Sequence, residues 1–229
     1  MDAVLFDLFG TLVNNMTPAS VGVCLADVAA LVGAEPGPFV ERWRGTFRGR
    51  MDGTVRDGPS MFDPILAVLG VPRDAARTRA AFARWQEELL AGLEPKDDAL
   101  EALETLRAKG YRLALVTDAS SGTSELLDRT PLGAFFEVRA VSALLGTTKP
   151  DPRMYEHALA GLGVRGDRCV YVGDGNSREL PGAKAHGMTT VWVDNGDRQH
   201  WRHEFAPEGD HRVTRLGEIP ALLGSFPGR

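Results

Sequence analysis

Residues 3–13 read AVLFDLFGTLV, an unbroken apolar run that stops at an aspartate and is followed by a glycine-containing turn. Val4, Leu5 and Phe6 lack the polar alternation of a half-exposed strand. Such a run is typical of a strand that is buried on both faces of a parallel sheet. Asp7 then lies at the carboxyl end of this strand, and Gly10-Thr11 lets the chain turn away from it sharply.

The same arrangement recurs three times further along the chain. The runs are Leu113–Val116, which ends at Thr117-Asp118; Val170–Val172, which ends at Gly173-Asp174; and Val191–Val193, which ends at Asp194. Because amphipathic segments separate these runs, the pattern predicts an α/β fold with a Rossmann-like, doubly wound and mostly parallel sheet. The carboxyl ends of such strands converge on one crevice, so these polar residues can share a site.

The stretch from residue 15 to residue 94 interrupts this alternation. It contains helical patterns and loops but no convincing buried strand, and about 80 residues far exceed a normal strand-to-helix connection. Apolar stripes at helical spacing run through Leu25–Val32, Ile65–Leu69 and Phe82–Leu90. We predict an inserted α-helical cap subdomain at 15–94, over the carboxyl end of the sheet, and an α/β core formed by residues 1–14 and 95–229.

Carboxylates and hydroxyls collect at the predicted strand ends, above all at Asp7, Thr117 and Asp174. Crowded carboxylates repel one another unless a cation offsets their charge. Oxygen-only ligands suit Mg²⁺, and the sequence lacks the His/Cys clusters that favour zinc. A single aspartate after a strand is also a common turn former, so the prediction of a magnesium site depends on the repetition of the pattern.

Four segments, in order, resemble the motifs of the haloacid dehalogenase superfamily, subfamily I with a C1 helical cap. They are FDLFGTL at 6–12, LVTD at 115–118, KPDP at 149–152, and Gly173-Asp174 with Glu179. The resemblance extends from Leu5 to about Asp194, and the insertion is similar to the family's helical cap. It implies a hydrolase with Mg²⁺ as its cofactor.

The resemblance also implies a role for each motif residue. Asp7 is expected to be the nucleophile that forms an aspartyl-enzyme intermediate, Thr117 to hydrogen-bond the transferring group, and Lys149 to neutralise both. The implied metal ligands are Asp7, the backbone carbonyl of Phe9, and Asp174, with Glu179 as a further ligand or as a support behind them. The residues expected to bind substrate are Thr117, Asp118, Arg42, Arg44 and Lys149.

Phe9 departs from the family's usual pattern. Most phosphatases of the superfamily carry a second aspartate there, which protonates the leaving oxygen and then activates water. General acid–base catalysis commonly contributes about 10²–10⁴ in rate, and phenylalanine cannot supply it. Three explanations follow: the substrate has a good leaving group such as an acyl phosphate or phosphoanhydride, another group replaces the acid, or the reaction is not phosphoryl transfer.

The 2-haloacid dehalogenases of the same superfamily also lack this aspartate and usually have an aromatic residue in its place. Halide leaves without a proton, and their cap supplies an arginine, for which Arg42 or Arg44 is suitably placed. They tend to replace the fourth-motif acid, however, whereas this chain has Asp174 and Glu179. We therefore favour Mg²⁺-dependent hydrolysis of a small phosphorylated metabolite, with haloacid dehalogenation and a catalytically weak binding domain as alternatives.

Residues 42–50 form a basic segment inside the predicted cap. Its arginines either read the substrate or form a solvated helix face. The predicted cap has no histidine, so a proton donor from it would be a carboxylate, with Asp52, Asp57 and Asp63 as candidates. We interpret the cluster HWRH at 200–203 as a surface loop rather than a metal site.

The composition is that of an ordinary soluble protein. Of 229 residues, 43% are hydrophobic and 25% are charged, and the net charge of −5 gives no general attraction to nucleic acid or anionic lipid. No run approaches the roughly 18 apolar residues of a membrane helix. The two cysteines, Cys24 and Cys169, have no metal-ligand spacing and fit a reducing compartment. We expect a cytoplasmic monomer or homodimer.

Overall fold

The computed structural model describes residues 1–196 and 209–226, and the interpreted surface loop at 200–203 lies outside them. The strands of the described part join one six-stranded sheet, in the order β3-β2-β1-β4-β5-β6, with every neighbouring pair parallel. They are β1 Ala3–Phe6, β2 Arg112–Thr117, β3 Val138–Val141, β4 Cys169–Gly173, β5 Thr189–Val193 and β6 His211–Val213. The predicted α/β fold with a parallel, Rossmann-like sheet is confirmed.

β1 lies at the centre of the sheet, where the strand order reverses. Phe6 pairs with Leu115 of β2 on one side and with Val172 of β4 on the other. This register brings Asp7 level with the carboxyl ends of both neighbouring strands. Ligands of open α/β sheets bind outside the strand ends at such a reversal.

The residues between β1 and β2 fold into helices: α1 Pro18–Val32, α2 Pro36–Gly45, α3 Phe47–Met51, a 3₁₀ helix Pro59–Phe62, α4 Asp63–Leu69 and α5 Ala75–Ala91. α1 begins after Thr17, whose hydroxyl accepts a hydrogen bond from Ser20 N–H at 3.0 Å. α5 begins after Asp74, whose carboxylate accepts from two backbone N–H groups of the first turn. The rings of Trp43 in α2 and Trp85 in α5 pack edge to face with centroids 4.8 Å apart.

The two connections between this helical region and the sheet lie side by side. Val13 forms an antiparallel bridge with Pro95, and the Lys96 N–H donates to the Leu12 carbonyl at 2.9 Å. The Lys96 ammonium reaches further and donates to the Gly10 carbonyl at 2.5 Å. The chain therefore leaves the sheet and returns to it beside the turn that follows Asp7.

The remaining helices cover both faces of the sheet. They are α6 Ala99–Ala108, α7 Thr123–Leu127, a 3₁₀ helix Pro131–Phe135, α8 Ser142–Leu145, α9 Pro152–Leu162, 3₁₀ helices Gly166–Arg168 and Asn176–Arg178, α10 Glu179–Ala185, a 3₁₀ helix Leu216–Glu218, and α11 Ile219–Gly224. Side chains alternate between the faces of a strand. Val4 and Phe6 of β1 accordingly belong to the buried cluster that includes α6 and α11, and Ala3 and Leu5 to the cluster that includes α9 and α10.

No single helix of the described residues is long and apolar enough to cross a membrane. α1 and α2 reach the required length and composition only when counted together, across a bend of 112°.

Candidate active site

Asp7 lies at the carboxyl end of the central strand. Its N–H donates to the Val172 carbonyl at 2.9 Å, which continues the pairing of β1 with β4 by one residue. Its side chain is buried, and Oδ2 accepts a hydrogen bond from the Thr11 hydroxyl at 3.0 Å. Strand pairing and the Thr11 contact therefore fix the position of this carboxylate.

The turn after Asp7 depends on Gly10. Its φ of +83° lies in the left-handed region, and a Cβ at this position would stand 2.1 Å from Asp174 Oδ2. Thr11, Leu12 and Val13 donate to the Leu8 carbonyl, and Gly10 donates to the Val13 carbonyl. The carbonyl of Phe9 stays outside this set of hydrogen bonds. Glycine is thus required both by the backbone conformation and by the approach of Asp174.

Lys149 joins two of the predicted carboxylates. Its ammonium nitrogen donates to Asp7 Oδ1 and to Glu179 Oε2, each at 2.6 Å, and all three side chains are buried. Burial alone lowers the pKa of Lys149, but the charges of Asp7 and Glu179 outweigh it and hold the pKa well above its ordinary value. Lys149 is therefore a cation, and its backbone N–H donates to Asp118 Oδ1 at 2.9 Å.

Glu179 is fully buried, and both of its carboxylate oxygens have partners. Oε2 accepts from Lys149 and from the Tyr171 hydroxyl at 2.9 Å, while Oε1 accepts from the Gly175 N–H at 2.9 Å. Burial and, after it, the charge of Asp7 raise the pKa of Glu179 well above its ordinary value. The Tyr155 hydroxyl donates to the backbone carbonyl of the same residue at 3.0 Å. This hydrogen bonding holds Glu179 behind Lys149.

Asp174 follows β4 and faces Asp7. Its oxygens accept from the backbone N–H and the side-chain amide of Asn176, at 2.9 Å and 2.7 Å. Burial, and next the charge of Asp7, raise the pKa of Asp174 to about 6. Burial and the neighbouring charge of Asp7 thus outweigh the opposing effects of Asn176 and Lys149 on the pKa of this carboxyl.

The three carboxylates fit a divalent cation. Asp7, Asp174 and Glu179 each offer an oxygen, these oxygens lie within 4.8 Å of one another, and all three residues are buried. Among the described residues, these three carboxylates share one contacting ammonium, that of Lys149, so negative charge is in excess when all are ionised. An all-oxygen donor set with excess negative charge suits Mg²⁺. Glu179 accepts three hydrogen bonds, whereas Asp7 and Asp174 accept two each, so Asp7 and Asp174 are the better placed ligands.

Thr117 is the last residue of β2 and supplies a hydroxyl at the same edge of the sheet. Its Oγ1 is buried and has no hydrogen-bond partner among the described residues. An unpaired buried hydroxyl costs free energy unless an incoming group satisfies it. The position suits an oxygen atom of a bound anion.

The predicted site residues divide into two groups. The structure brings together Asp7, Lys149, Asp174 and Glu179, with half-buried Asp118 anchoring the Lys149 backbone. Thr117 lies at the same edge of the sheet, at the end of β2. Phe9 is half-buried and packs against the hydrophobic core. Arg42 and Arg44 lie exposed on α2, and neither makes a hydrogen bond or ion pair within 1–196 and 209–226.

The candidate proton donors of the helical region differ in their surroundings. Asp52 accepts hydrogen bonds from Thr54, and Asp63 forms an ion pair with Arg73 at 2.9 Å. Asp57 contacts the loop after β2 instead, because its Oδ2 accepts from the Gly122 N–H at 2.6 Å. Of these three carboxylates, only Asp57 has such a contact in the described residues.

Sequence reasoning missed two supports of the site. Tyr171 lies inside an apolar run and looked like a core residue, although its hydroxyl reaches Glu179. Asn176 lies two residues after Asp174 and binds it through both its backbone and its side chain. Its place in the polar loop after a strand-end aspartate was the available signal, since side chains there commonly bond to a residue two positions away.

Comparisons with known proteins agree with this fold. A family model described as haloacid dehalogenase-like hydrolase matches residues 1–187. The chain is 32% identical to a glyceraldehyde 3-phosphate phosphatase of Methanopyrus kandleri over 156 residues, which are 68% of this chain and 65%, or just under two thirds, of that protein. It superposes on a haloacid dehalogenase-type phosphatase from Thermococcus onnurineus (TM-score 0.68, 25% identity, 100% of each chain) and on a 2-haloacid dehalogenase from Pseudomonas syringae (TM-score 0.72, 25% identity, 98% of each chain).

Proposed function

The chain belongs to the haloacid dehalogenase-like hydrolases, and we propose that within this family of enzymes it is a Mg²⁺-dependent phosphatase of a small phosphorylated metabolite. The supporting observation is the arrangement of Lys149 between Asp7 and Glu179, with Asp174 close by and unneutralised. A haloacid carries one carboxylate, and excess negative charge in the site would oppose its binding. The same charge opposes a phosphoryl group, and Mg²⁺ held by Asp7 and Asp174 would offset it, so the acidic cluster favours the metal-dependent reaction.

Asp7 is the proposed nucleophile. One of its carboxylate oxygens forms a bond to phosphorus, the bond from phosphorus to the leaving oxygen breaks, and the electron pair stays on that oxygen. Lys149 offsets the charge of Asp7 and of the phosphoryl oxygens, and the Thr117 hydroxyl donates to one of those oxygens. A water oxygen then bonds to phosphorus, the bond from phosphorus to the Asp7 oxygen breaks with its electron pair returning to the carboxylate, and the released phosphate keeps the protons of the water.

Asp7 and Asp174, with the Phe9 carbonyl, are the proposed metal ligands. When bound there, Mg²⁺ supplies positive charge against the phosphoryl oxygens. Glu179 supports the site through Lys149, and its raised pKa reflects burial beside Asp7. The positioning of the nucleophile, by contrast, depends on protein contacts alone: the Thr11 hydroxyl, the Lys149 ammonium and the strand pairing of β1.

Phe9 restricts the substrates that this site can use. The side chain occupies the position of the usual acid–base aspartate and packs on the core, so it offers no proton to a leaving alkoxide. Leaving groups that are stable as anions need no such proton. We therefore propose that acyl phosphates and phosphoanhydrides are hydrolysed faster than simple alkyl phosphates. The curated relative from Methanopyrus, by its name, acts on the alkyl phosphate glyceraldehyde 3-phosphate.

We assign the control of substrate access to the helical region. We propose that residues 15–94 form a cap over a core made of residues 1–14 and 95–229, because the helices α1 to α5 all lie between β1 and β2 and the connections pair at Val13 and Pro95. We further propose a cytoplasmic enzyme, either monomeric or homodimeric.

Haloacid dehalogenation is the second candidate. Phe9 favours it, since halide leaves without a proton, and the chain superposes on the 2-haloacid dehalogenase from Pseudomonas syringae. The two reactions differ in their requirement for a metal and in the product. Inorganic phosphate release and halide release should therefore be assayed on the same preparation, with Mg²⁺ and with EDTA.

A panel of acyl, aryl and alkyl phosphates and of 2-haloacids tests the proposal. We expect phosphate release that needs Mg²⁺ and that Asp7→Asn abolishes. Asp167→Asn is the matched control, because Asp167 pairs with Arg165 on the surface. Halide release that persists in EDTA would establish the dehalogenase alternative, and tight ligand binding without turnover would establish a binding domain.

A further inference from the structure

Arg50 is a buried cation with few hydrogen-bond partners. The residue is 7% exposed, and its guanidinium carbon lies 4.2 Å from the ring centroid of Trp43, with Phe47 and Trp85 at 5.7 Å and 5.9 Å. Its hydrogen bond within the described residues runs from Nε to the Thr46 hydroxyl at 3.2 Å. The two terminal nitrogens of this guanidinium fork have no hydrogen bond to the described residues, and the aromatic rings fix its position.

The segment after Arg50 rests on the edge of the sheet that carries the site. The Ser142 hydroxyl, just after β3, donates to the Met51 carbonyl at 2.7 Å. Gly53 approaches so closely that a Cβ there would lie 2.0 Å from the Ala143 carbonyl oxygen. Asp57 then meets Gly122 in the loop after β2. Residues 51–57 thus lie over the carboxyl ends of β2 and β3, and Thr117 ends the first of these strands.

Asp57 is the charged residue whose field acts on Arg50 in the described structure. Burial lowers the pKa of Arg50 to about 10 and Asp57 opposes that shift, so the guanidinium is protonated at neutral pH. The two charges do not form an ion pair, and Asp57 Oδ1 is buried with no hydrogen-bond partner in the part of the chain that the structure describes. A nearby carboxylate makes the fork a better partner for a singly charged carboxylate than for a dianionic phosphate. Guanidinium and carboxylate also match in planar, bidentate geometry.

We propose that Arg50 binds a carboxylate of the substrate at the junction of the helical region and the sheet, which makes the preferred substrate a phosphorylated carboxylic acid. The inference rests on the proposed phosphatase function, because the phosphoryl group is the part of the substrate placed at Asp7. Asp57 Oδ1, which is buried and unpaired within the described residues, is the proposed acceptor for a hydroxyl or ammonium group of the same ligand. Arg50, rather than Arg42 or Arg44, is then the arginine of the basic segment that binds the substrate.

The test compares two ligands that share one skeleton. 3-Phosphoglycerate carries a carboxylate at the position where glycerol 3-phosphate carries a hydroxymethyl group. Each is used as a competitor of acetyl phosphate turnover, and the inhibition constants are measured for wild type, Arg50→Met and Arg50→Lys. Arg48→Met is the matched control, since Arg48 belongs to the same helix and is exposed.

We expect wild type to bind 3-phosphoglycerate at least tenfold more tightly than glycerol 3-phosphate. Arg50→Met should remove this preference and leave the constant for glycerol 3-phosphate within about threefold, while Arg48→Met should change neither. Arg50→Lys keeps the charge but loses the planar fork, so it should retain part of the preference for 3-phosphoglycerate. This variant replaces Arg50→Met in the test if Arg50→Met does not fold. Equal binding of the two ligands to wild type, or equal weakening of both by the Arg50 variants, would overturn the assignment.

Calorimetric titration of the same two ligands separates this inference from the proposed function. If wild type does not hydrolyse acetyl phosphate but binds 3-phosphoglycerate through Arg50, the phosphatase proposal fails and the carboxylate site stands. If it hydrolyses acetyl phosphate without any carboxylate preference, the carboxylate site fails and the phosphatase proposal stands.

Discussion

Gly10 and Asp174 approach each other so closely that a Cβ on Gly10 would stand 2.1 Å from Asp174 Oδ2. Gly10 belongs to the turn after β1, and Asp174 follows β4, so the contact joins the two strand ends that carry the proposed metal ligands. The φ of +83° at Gly10 disfavours any other residue as well. The glycine of this motif is therefore a packing requirement of the acidic cluster and not only a turn former.

Replacing Gly10 by alanine tests this relationship. The methyl group must displace Asp174, so we expect Gly10→Ala to lower kcat/KM by about 100-fold or more, the scale on which misplacement of catalytic groups acts. Gly163→Ala is the control, because Gly163 has a φ of +63° but no atom within 4 Å of its added Cβ. It should cost about 1–2 kcal/mol of stability through backbone strain and leave kcat/KM within about twofold. Equal losses of activity in both variants would contradict the role of the close contact.

Lys149→Met tests the buried ion pairs of Lys149 with Asp7 and Glu179. The change leaves Asp7 and Glu179 without their shared cation, and removing one partner of a buried charge pair typically costs about 3–5 kcal/mol. Urea unfolding should show this loss, together with abolished turnover. In Lys184→Met, which breaks an exposed pair with Asp210, we expect less than about 1 kcal/mol. A Lys149 variant as stable as wild type at neutral pH would argue that the carboxylates lose their charge instead.

The pKa of Asp174, raised to about 6, predicts a pH dependence of stability without metal. Between about pH 4 and pH 6 the native state holds a proton that the unfolded state has released, so stability falls as the pH rises and the penalty is complete above about 6. Asp174→Asn removes this penalty. We expect the variant to gain stability over wild type across this window in EDTA, by chemical unfolding at each pH. A constant difference between the two proteins from pH 4 to 7 would exclude Asp174 as the titrating group.

Phe9→Asp restores the acid–base group that the position lacks. A leaving alkoxide needs a proton and an acyl phosphate does not, so we expect turnover of alkyl phosphates to rise about tenfold or more relative to that of acyl phosphates. Phe9→Asn is the matched control, since it has a similar shape but cannot exchange a proton in this way. If both variants change the turnover of alkyl phosphates and of acyl phosphates by the same factor, the explanation of the missing acid is wrong.

The strands that are buried on both faces of the sheet were predictable from the sequence. β1, β2, β4 and β5 are continuous apolar runs, and each was predicted. β3 was missed because Arg139 interrupts it, although its guanidinium leaves the sheet to pair with Asp128 at 2.6 Å. β6 was missed because its three residues, His211 to Val213, form the edge of the described sheet and need apolar character on one side only.

The part of the candidate site that lies at the strand ends was predictable from the sequence. Parallel strands place Asp7, Thr117 and Asp174 on one edge whatever the rest of the chain does. Which arginine of the basic segment is buried depends on packing against Trp43 and Trp85, and single-sequence spacing does not determine that packing. The partners of Glu179 were hidden for the same reason, because the Tyr171 hydroxyl is polar only at the tip of a core side chain.

Acid-quench mass spectrometry of the peptide that contains Asp7 tests the central claim most directly. Wild type, mixed with acetyl phosphate and Mg²⁺ and quenched during turnover, should carry one phosphoryl group on Asp7, and EDTA or Asp7→Asn should abolish it. Phosphate release at full rate with Asp7 unmodified under these conditions, or an ester on Asp7 formed from a 2-haloacid in EDTA, would contradict the account.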